Sequence, residues 1–309
     1  MAKIKANLSA LLPGAGLVVV FAVFSLLGGA RFYGAKNLQL ILNQSYTVML
    51  VGLGVTLIYA HGGIDFSVGA VLALSEMVAA MAYKKAGVPA ILIIVTVLAA
   101  VACSLITGVI TVKLRIPPFI SSLCMQFTCR GVVNTVLQNK TIGVTELAAP
   151  GWGPKLAVLV VFALAVFILL TYTKVGKYNK AIGENIRAAR SSGINVDFYR
   201  IVAYLVGGFA IGVAAYFDLL RNGVMSTNVG YGLEMNVITA LVLGGLSLSG
   251  GYSATVRSAI LGSLIIVIMT NGLMIVGVPT AYIGIVQGAI FLLVILFTYK
   301  RDKLGLLPR

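Results

Sequence analysis

The chain has 309 residues, 60% of them apolar and only 10% charged, where a soluble domain carries roughly 25% charge. Together with a mean hydropathy of +1.04, this excludes a soluble enzyme, a disordered chain and a disulfide-stapled secreted domain. A net charge of +15 would suggest nucleic acid in a soluble protein, but here the basic residues sit mainly in short gaps between apolar runs, where anionic lipid is the natural counter-charge and no nucleic acid is needed.

At about 20 helical residues per crossing, the sequence divides into about ten runs: 11–29, 39–60, 68–82, 90–112, 117–138, 155–173, 201–221, 233–249, 256–277 and 280–299. The fold class that follows is all-α, a polytopic integral membrane protein with a single transmembrane domain over residues 1–309. The first run, preceded by Lys3 and Lys5, has the look of a secretory signal with a small-residue site at Gly28-Gly29-Ala30. It is long for a signal core and more spans follow, so an uncleaved first helix is expected. With ten crossings and the N-terminus inside, 15 Lys and Arg fall in the cytoplasm and 7 outside, with Arg130 inside a span. The reverse topology would invert that bias, so both termini are expected in the cytoplasm.

In the second run lie Asn43, Gln44 and Thr47, candidates for a polar path. After it, Gly62 and Gly63 are expected to stop one helix, with Asp65 or Ser67 capping the next. A second reading makes this corner a hinge or gate, echoed by Gly-Gly-x-x-x-Ser-x-Gly from Gly244 and Gly245 to Gly251. The third run is short for a full crossing, open to tilt, a break or partial re-entry. It carries Glu76. In the fifth run Gln126, Arg130, Asn134 and Gln138 recur every four positions and form one slowly turning stripe. Such groups suit a hydroxylated solute that sheds its water on the way through; they equally suit hydrogen bonds between neighbouring helices. A charge near the bilayer centre costs roughly 2.5–3.5 kcal/mol on insertion scales. Glu76 and Arg130, roughly 13 and 20 Å deep at about 1.5 Å per residue, are therefore expected to pair.

Cys103, Cys124 and Cys129 fall inside apolar runs and read as small packing residues. Tyr33, Tyr83, Trp152 and Tyr299 are expected as interface anchors. Asn271 in the ninth run is a further path candidate, and Gly262, Gly272 and Gly277 permit close helix contact.

The largest polar insertion is residues 174–200, between the sixth and seventh runs. From Glu184 to Arg190 it has good helix formers, an acid first and bases last, with Gly193 as a stop. This predicts one short helix at the cytoplasmic face. No phosphate loop is present, the nearest fragment being Gly176-Lys177-Tyr178. His61 is the only histidine, and neither a ligand set for a metal nor a nucleophile and base pair is visible. No catalytic residue and no metal site is expected.

Within the loop, Gly183-Glu184-Asn185-x-x-Ala188-Ala189-x-x-x-Gly193-Ile194 resembles the cytoplasmic coupling segment of permease subunits in ribose-type ABC importers. Further matches to that family are Gly62-Gly63-Ile64-Asp65-Phe66-Ser67-Val68-Gly69, Gly232-Leu233-Glu234-Met235-Asn236-Val237-Ile238, Val242-Leu243-Gly244-Gly245-Leu246-Ser247-Leu248-Ser249-Gly250-Gly251 and Asn271-Gly272-Leu273. They fall in the family's order along nearly the whole chain. Phe66 stands for the family's usual Leu, Asn236 for a frequent Asp, Glu184 for a Gly and Ser191 for an apolar residue. Glu184 and Ser191 bear on which ATPase fits, and Asn236 on substrate.

The resemblance implies a permease in the cytoplasmic membrane of a bacterium, one half of a dimer with an identical or different second permease. ATP and Mg would reside on two cytoplasmic ATPase partners, with no cofactor in this chain. A separate extracytoplasmic binding protein would deliver a monosaccharide or related polyol. By the same match Gly183, Glu184, Asn185, Ala188, Ala189 and Gly193 would shape a rigid knob, with Arg187 and Arg190 supplying electrostatic contacts, because a pushed element must move as one body. The competing class is an ion- or proton-coupled secondary transporter using Glu76 as its site.

Overall fold

The computed structural model describes residues 2–147, 149–247 and 250–298, with side chains from residue 12 to residue 293. Thirteen helices account for nearly all of it: α1 (Ala2–Gly28), α2 (Ala30–Tyr33), α3 (Ala35–Ala60), α4 (Val68–Ala86), α5 (Ala90–Lys113), α6 (Pro118–Leu137), α7 (Trp152–Thr171), α8 (Lys174–Glu184), α9 (Ile186–Ser191), α10 (Val196–Asn222), α11 (Leu233–Leu243), α12 (Val256–Ile275) and α13 (Thr280–Thr298). Two short strands, Ile142–Gly143 and Val224–Met225, pair antiparallel and tie the loop after α6 to the end of α10. Each of the ten expected runs holds a helix, and α3, α5, α7, α10 and α12 are each long and apolar enough to cross a bilayer. Of the earlier expectations, those for Tyr299, Lys300, Arg301, Lys303 and Arg309, for Leu248 and Ser249, and for the side chains of Lys3 and Lys5 lie outside the described residues.

The order long helix, non-helical corner, helix, two further long helices occurs twice, as α3 to α6 and as α10 to α13. The packing obeys the same symmetry. α5 lies along α10 as α12 lies along α3, α4 touches α10 as α11 touches α3, and α3 and α10 cross at the centre. Transporters commonly place their pathway at such a repeat interface. The core follows from this crossing: α3 is buried almost continuously from Ser45 to Ala60, whereas α7, on the rim, buries only Lys155, Val166 and Leu170.

Three local expectations are corrected. The third run is not short: α4 has 19 residues and ends at Gly87, whose left-handed φ of 70° no β-carbon favours. At about 1.5 Å per residue it covers most of a bilayer core by itself. The short element is instead the eighth, because α11 stops after 11 residues at Gly244 and Gly245. In the 174–200 loop there are two helices rather than one, since Asn185 is extended and its side chain accepts the N–H groups of Arg187 and Ala188, each at 3.0 Å. An N-cap starts a helix, so Glu184 closes α8 instead of opening α9. At the Gly62 corner neither Asp65 nor Ser67 caps α4. Asp65 Oδ1 accepts the Ser67 N–H at 2.8 Å and the Ser67 hydroxyl at 2.6 Å, which folds the corner on itself.

Candidate functional site

The end of the molecule that carries the 174–200 loop is built around α8 and α9. α8 is amphipathic, burying Gly176, Asn179 and Ile182. Asn179 Nδ2 donates to Val175 O at 2.9 Å and to Tyr199 O at 3.2 Å, which fixes α8 to the start of α10. Gly183 lies so close to the Ala60 carbonyl at the end of α3 that any β-carbon there would overlap it. Next to it, Glu184 Oε1 accepts the Tyr252 N–H at 3.0 Å.

Gly250 sits on the carbonyls of Tyr59 and Ala60 and on the Gly62 N–H. The structure therefore brings the Gly62 and Gly250 corners together under α8. Gly63 closes α3 by donating to Ile58 O at 3.1 Å. Gly244 packs instead on the Ser258 backbone, and Gly245 beside it is exposed.

On α9, Ala189 turns inward onto Ile182 and Val196. Ile186, Arg187, Ala188 and Arg190 are exposed, and Gly193 ends the segment at φ 79°. Arg190 lies 3.8 Å from Asp197, both exposed, a pair worth at most about 1 kcal/mol.

The expected pairing of Glu76 with Arg130 is not made. α4 and α6 are neighbours, but Arg130 Nη1 donates to Val229 O at 2.6 Å and its guanidinium stands 4.0 Å over the Tyr231 ring. Glu76 is fully buried on the α10 side, and the charges that act on it are Asp218 and Arg221. Counting residues from a helix end gives height along the membrane normal but not azimuth around the helix, and here the two side chains have different surroundings.

Arg130 instead belongs to a cluster with Gln126, Tyr231 and Glu234, all carried by α6 and the segment leading into α11. Gln126 Nε2 donates to Glu234 Oε1 at 3.4 Å. Gly69 and Gly230 meet backbone to backbone beside this cluster, where a methyl on either would collide with the other's carbonyl. Arg130 Nε and Nη2 and Glu234 Oε2 have no hydrogen-bond partner among the described residues. These three are buried polar atoms of the cluster left without a hydrogen bond.

The remaining path candidates are dispersed. Asn134 is exposed, and Gln138 has left the helix in a left-handed C-cap. Asn271 is locked in a reciprocal amide pair with Asn37, at 2.9 and 3.0 Å. Asn43 belongs to an outer network: its side chain accepts from Lys155 Nζ at 2.8 Å and its carbonyl from Arg221 Nη1 at 3.2 Å. The centre of that network is Asp218, which accepts from Arg221 at 2.6 Å, Asn222 at 2.9 Å and Thr47 at 3.0 Å. Of the cysteines, Cys129 is buried, Cys103 half-buried and Cys124 exposed. Tyr33 and Trp152 are exposed as interface anchors would be, and Tyr83 is half-buried.

Sequence reasoning missed Asp218, Arg221, Tyr231 and Glu234. Two signals were present. Asp218 and Arg221 stand three apart in one apolar run, the spacing of facing helix neighbours, and Glu234 is an acid inside an expected span, which marks a site by the same rule that marked Glu76.

A family model described as "Branched-chain amino acid transport system / permease component" matches residues 37–295. The chain is 35% identical over 299 residues to the ribose import permease protein RbsC of Escherichia coli strain K12, covering 93% of this chain and 92% of that protein. It is 32% identical over 271 residues to the galactofuranose transporter permease protein YtfT of the same strain, covering 84% and 79%. To the fructose import permease protein FrcC of Rhizobium meliloti it is 27% identical over 296 residues, covering 90% and 82%.

Proposed function

Since the chain belongs to the family described as "Branched-chain amino acid transport system / permease component", we propose that it is the membrane-spanning subunit of an ATP-driven importer in the inner membrane of a bacterium, and that its solute is a monosaccharide or related polyol. The observation that carries this reading is the seating of α8: Gly183 and Glu184 bind one loop helix to the end of α3 and to the Gly250 corner at once. A displacement of that helix by a partner reaches both glycine corners directly, which is what a push from a separate motor needs. Likeness over more than nine tenths of the chain to an import permease for ribose supports the solute class.

In this reading residues 1–309 form a single transmembrane domain and 174–200 is its coupling element. Ile186, Arg187, Ala188 and Arg190 face the ATPase, while Gly183, Glu184, Asn185, Ala189 and Gly193 shape and seat the knob. Gly62, Gly63, Asp65, Ser67, Gly244 and Gly245 make the corners that flex. The path runs past Gln126, Arg130, Tyr231 and Glu234, whose unpaired polar atoms offer donors and an acceptor to a solute's hydroxyl groups. ATP and Mg are bound by two partner ATPase subunits, so this chain catalyses no covalent step; a second permease and an extracytoplasmic binding protein complete the assembly.

The test is uptake of labelled monosaccharides by vesicles containing the assembled transporter. Uptake that needs internal ATP and the partner ATPase supports the reading. Uptake driven by an ion or proton gradient alone would replace it with a secondary transporter, for which the unpartnered Glu76 carboxylate is the candidate site.

A further inference from the structure

Between the end of α7, the outer side of α8 and the start of α12 lies a cleft of about 560 Å³. Its walls are apolar, with Phe167, Leu170 and Ile260 among them, and its rim holds two cations, Lys180 from α8 and Arg257 from α12. Neither cation has an ion pair or a side-chain hydrogen bond among the described residues. Lys180 is half-buried, and burial lowers its pKa from the ordinary lysine value, as befits a cation that no acid accompanies.

The first turn of α12 also faces the cleft, through Thr255, Val256 and Arg257. A 20-residue helix presents its positive dipole end there, with the Ser258 N–H capped by Thr255 and the N–H groups of Val256 and Arg257 left over, so three sources of positive potential converge on the cleft. Positive-inside counting puts this rim at the cytoplasmic leaflet, at the level of the 174–200 loop.

We infer that this cleft is a binding site for one anionic glycerophospholipid, with its phosphate between Lys180 and Arg257 at the N-terminus of α12 and its acyl chains along Phe167, Leu170 and Ile260. The apolar walls select the source of the anion. A free phosphate would leave them in water, whereas lipid chains cover them and continue into the bilayer. α7 and α12 touch only sparsely, so the cleft is open laterally and a lipid enters without any helix separating. The site stands independently of what the protein transports, and its test reads lipid retention alone.

The experiment uses the full-length chain purified in detergent and mixed with phosphatidylglycerol, phosphatidylcholine or glycerol 1-phosphate, with bound species counted by native mass spectrometry. One phosphatidylglycerol is expected per chain, with neither phosphatidylcholine nor glycerol 1-phosphate retained. A basic residue beside anionic lipid is worth roughly a factor of five, so Lys180→Gln with Arg257→Gln is expected to weaken retention about 25-fold. The charge-conserving pair Lys180→Arg with Arg257→Lys keeps it, and Ile260→Trp, which fills the apolar wall and leaves both charges, loses it. Equal retention of phosphatidylglycerol by the wild type and the Gln pair, or equal retention of phosphatidylcholine, overturns the site. Retention of glycerol 1-phosphate without lipid makes it a plain anion site and overturns the lipid assignment. Should the Gln pair elute as aggregate, the Ile260→Trp result decides alone.

Discussion

The outer clasp between α3 and α10 is the contact whose removal can be followed most closely. Asp218→Ala takes away one carboxylate that serves Thr47 on α3 and Arg221 and Asn222 on α10. A hydrogen bond to a charged group contributes roughly 1.5–3 kcal/mol net. Thr47 is buried, 7% exposed as a residue, and its hydroxyl loses its acceptor, so its share is about 1.5 kcal/mol, at the lower bound of that range. The Arg221 side chain is 26% exposed and keeps the Asn43 carbonyl; after solvent screening its share is about 1.5 kcal/mol as well. Asn222 is exposed and adds little.

The expected loss is therefore about 3 kcal/mol, which for a chain of this size lowers the apparent melting midpoint by about 5 °C or somewhat more. The assay is thermal unfolding in detergent at one fixed scan rate, because unfolding of such a protein is read as a rate. Thr47→Val should shift the midpoint about half as far. The double variant should match Asp218→Ala, since the shared hydrogen bond can be lost only once. A midpoint for Asp218→Ala within about 1 °C of wild type, or full additivity with Thr47→Val, would refute the clasp.

Ala188→Glu places a charge on the exposed side of α9 and Ala189→Glu places it in the contact with Ile182 and Val196; the first should insert and melt normally but stop ATP-driven uptake, the second should lower the melting midpoint by several degrees, and identical behaviour of the two would contradict the orientation of α9. Glu76 has no hydrogen-bond partner among the described residues, whereas Arg130 donates to Val229 O, so the effects of Glu76→Gln and Arg130→Ala on the midpoint should add to within about 0.5 kcal/mol, and a larger coupling measured in a double-mutant cycle would restore the direct pair. Lys84 Nζ donates to Glu146 Oε1 at 2.6 Å, both side chains exposed, and that hydrogen bond holds the Glu146 carboxyl below its usual pKa. A depressed carboxylate pKa means that the tether is intact above the unfolded value near 4.5 and is lost as pH falls through the lowered folded value. Amide exchange in residues 139–147, compared with Glu146→Gln, should therefore show protection at pH 7 that is lost only once the pH has fallen below 4.5; protection that is independent of pH would mean the tether contributes nothing.

Much of the architecture was legible along the chain. Ten apolar runs became ten helices, because the bilayer sets a length that hydropathy alone can meet. The glycine corners were also visible as residue types, since a left-handed φ is a local demand; the Asn185 cap was missed, and the helix expected to open at Glu184 is started by Asn185. What lay beyond reach was partnership. Glu76 and Arg130 are both buried charges of the kind that must find company, yet one faces Asp218 and Arg221 and the other faces Tyr231 and Glu234. The seating of Gly183 on Ala60, the meeting of Gly69 with Gly230, and the cleft beside Lys180 likewise join positions far apart in the chain. Periodicity and hydropathy are properties of one segment at a time; which face turns to which neighbour is fixed only when the two repeats pack together and close approach is granted at the few positions where both backbones are bare.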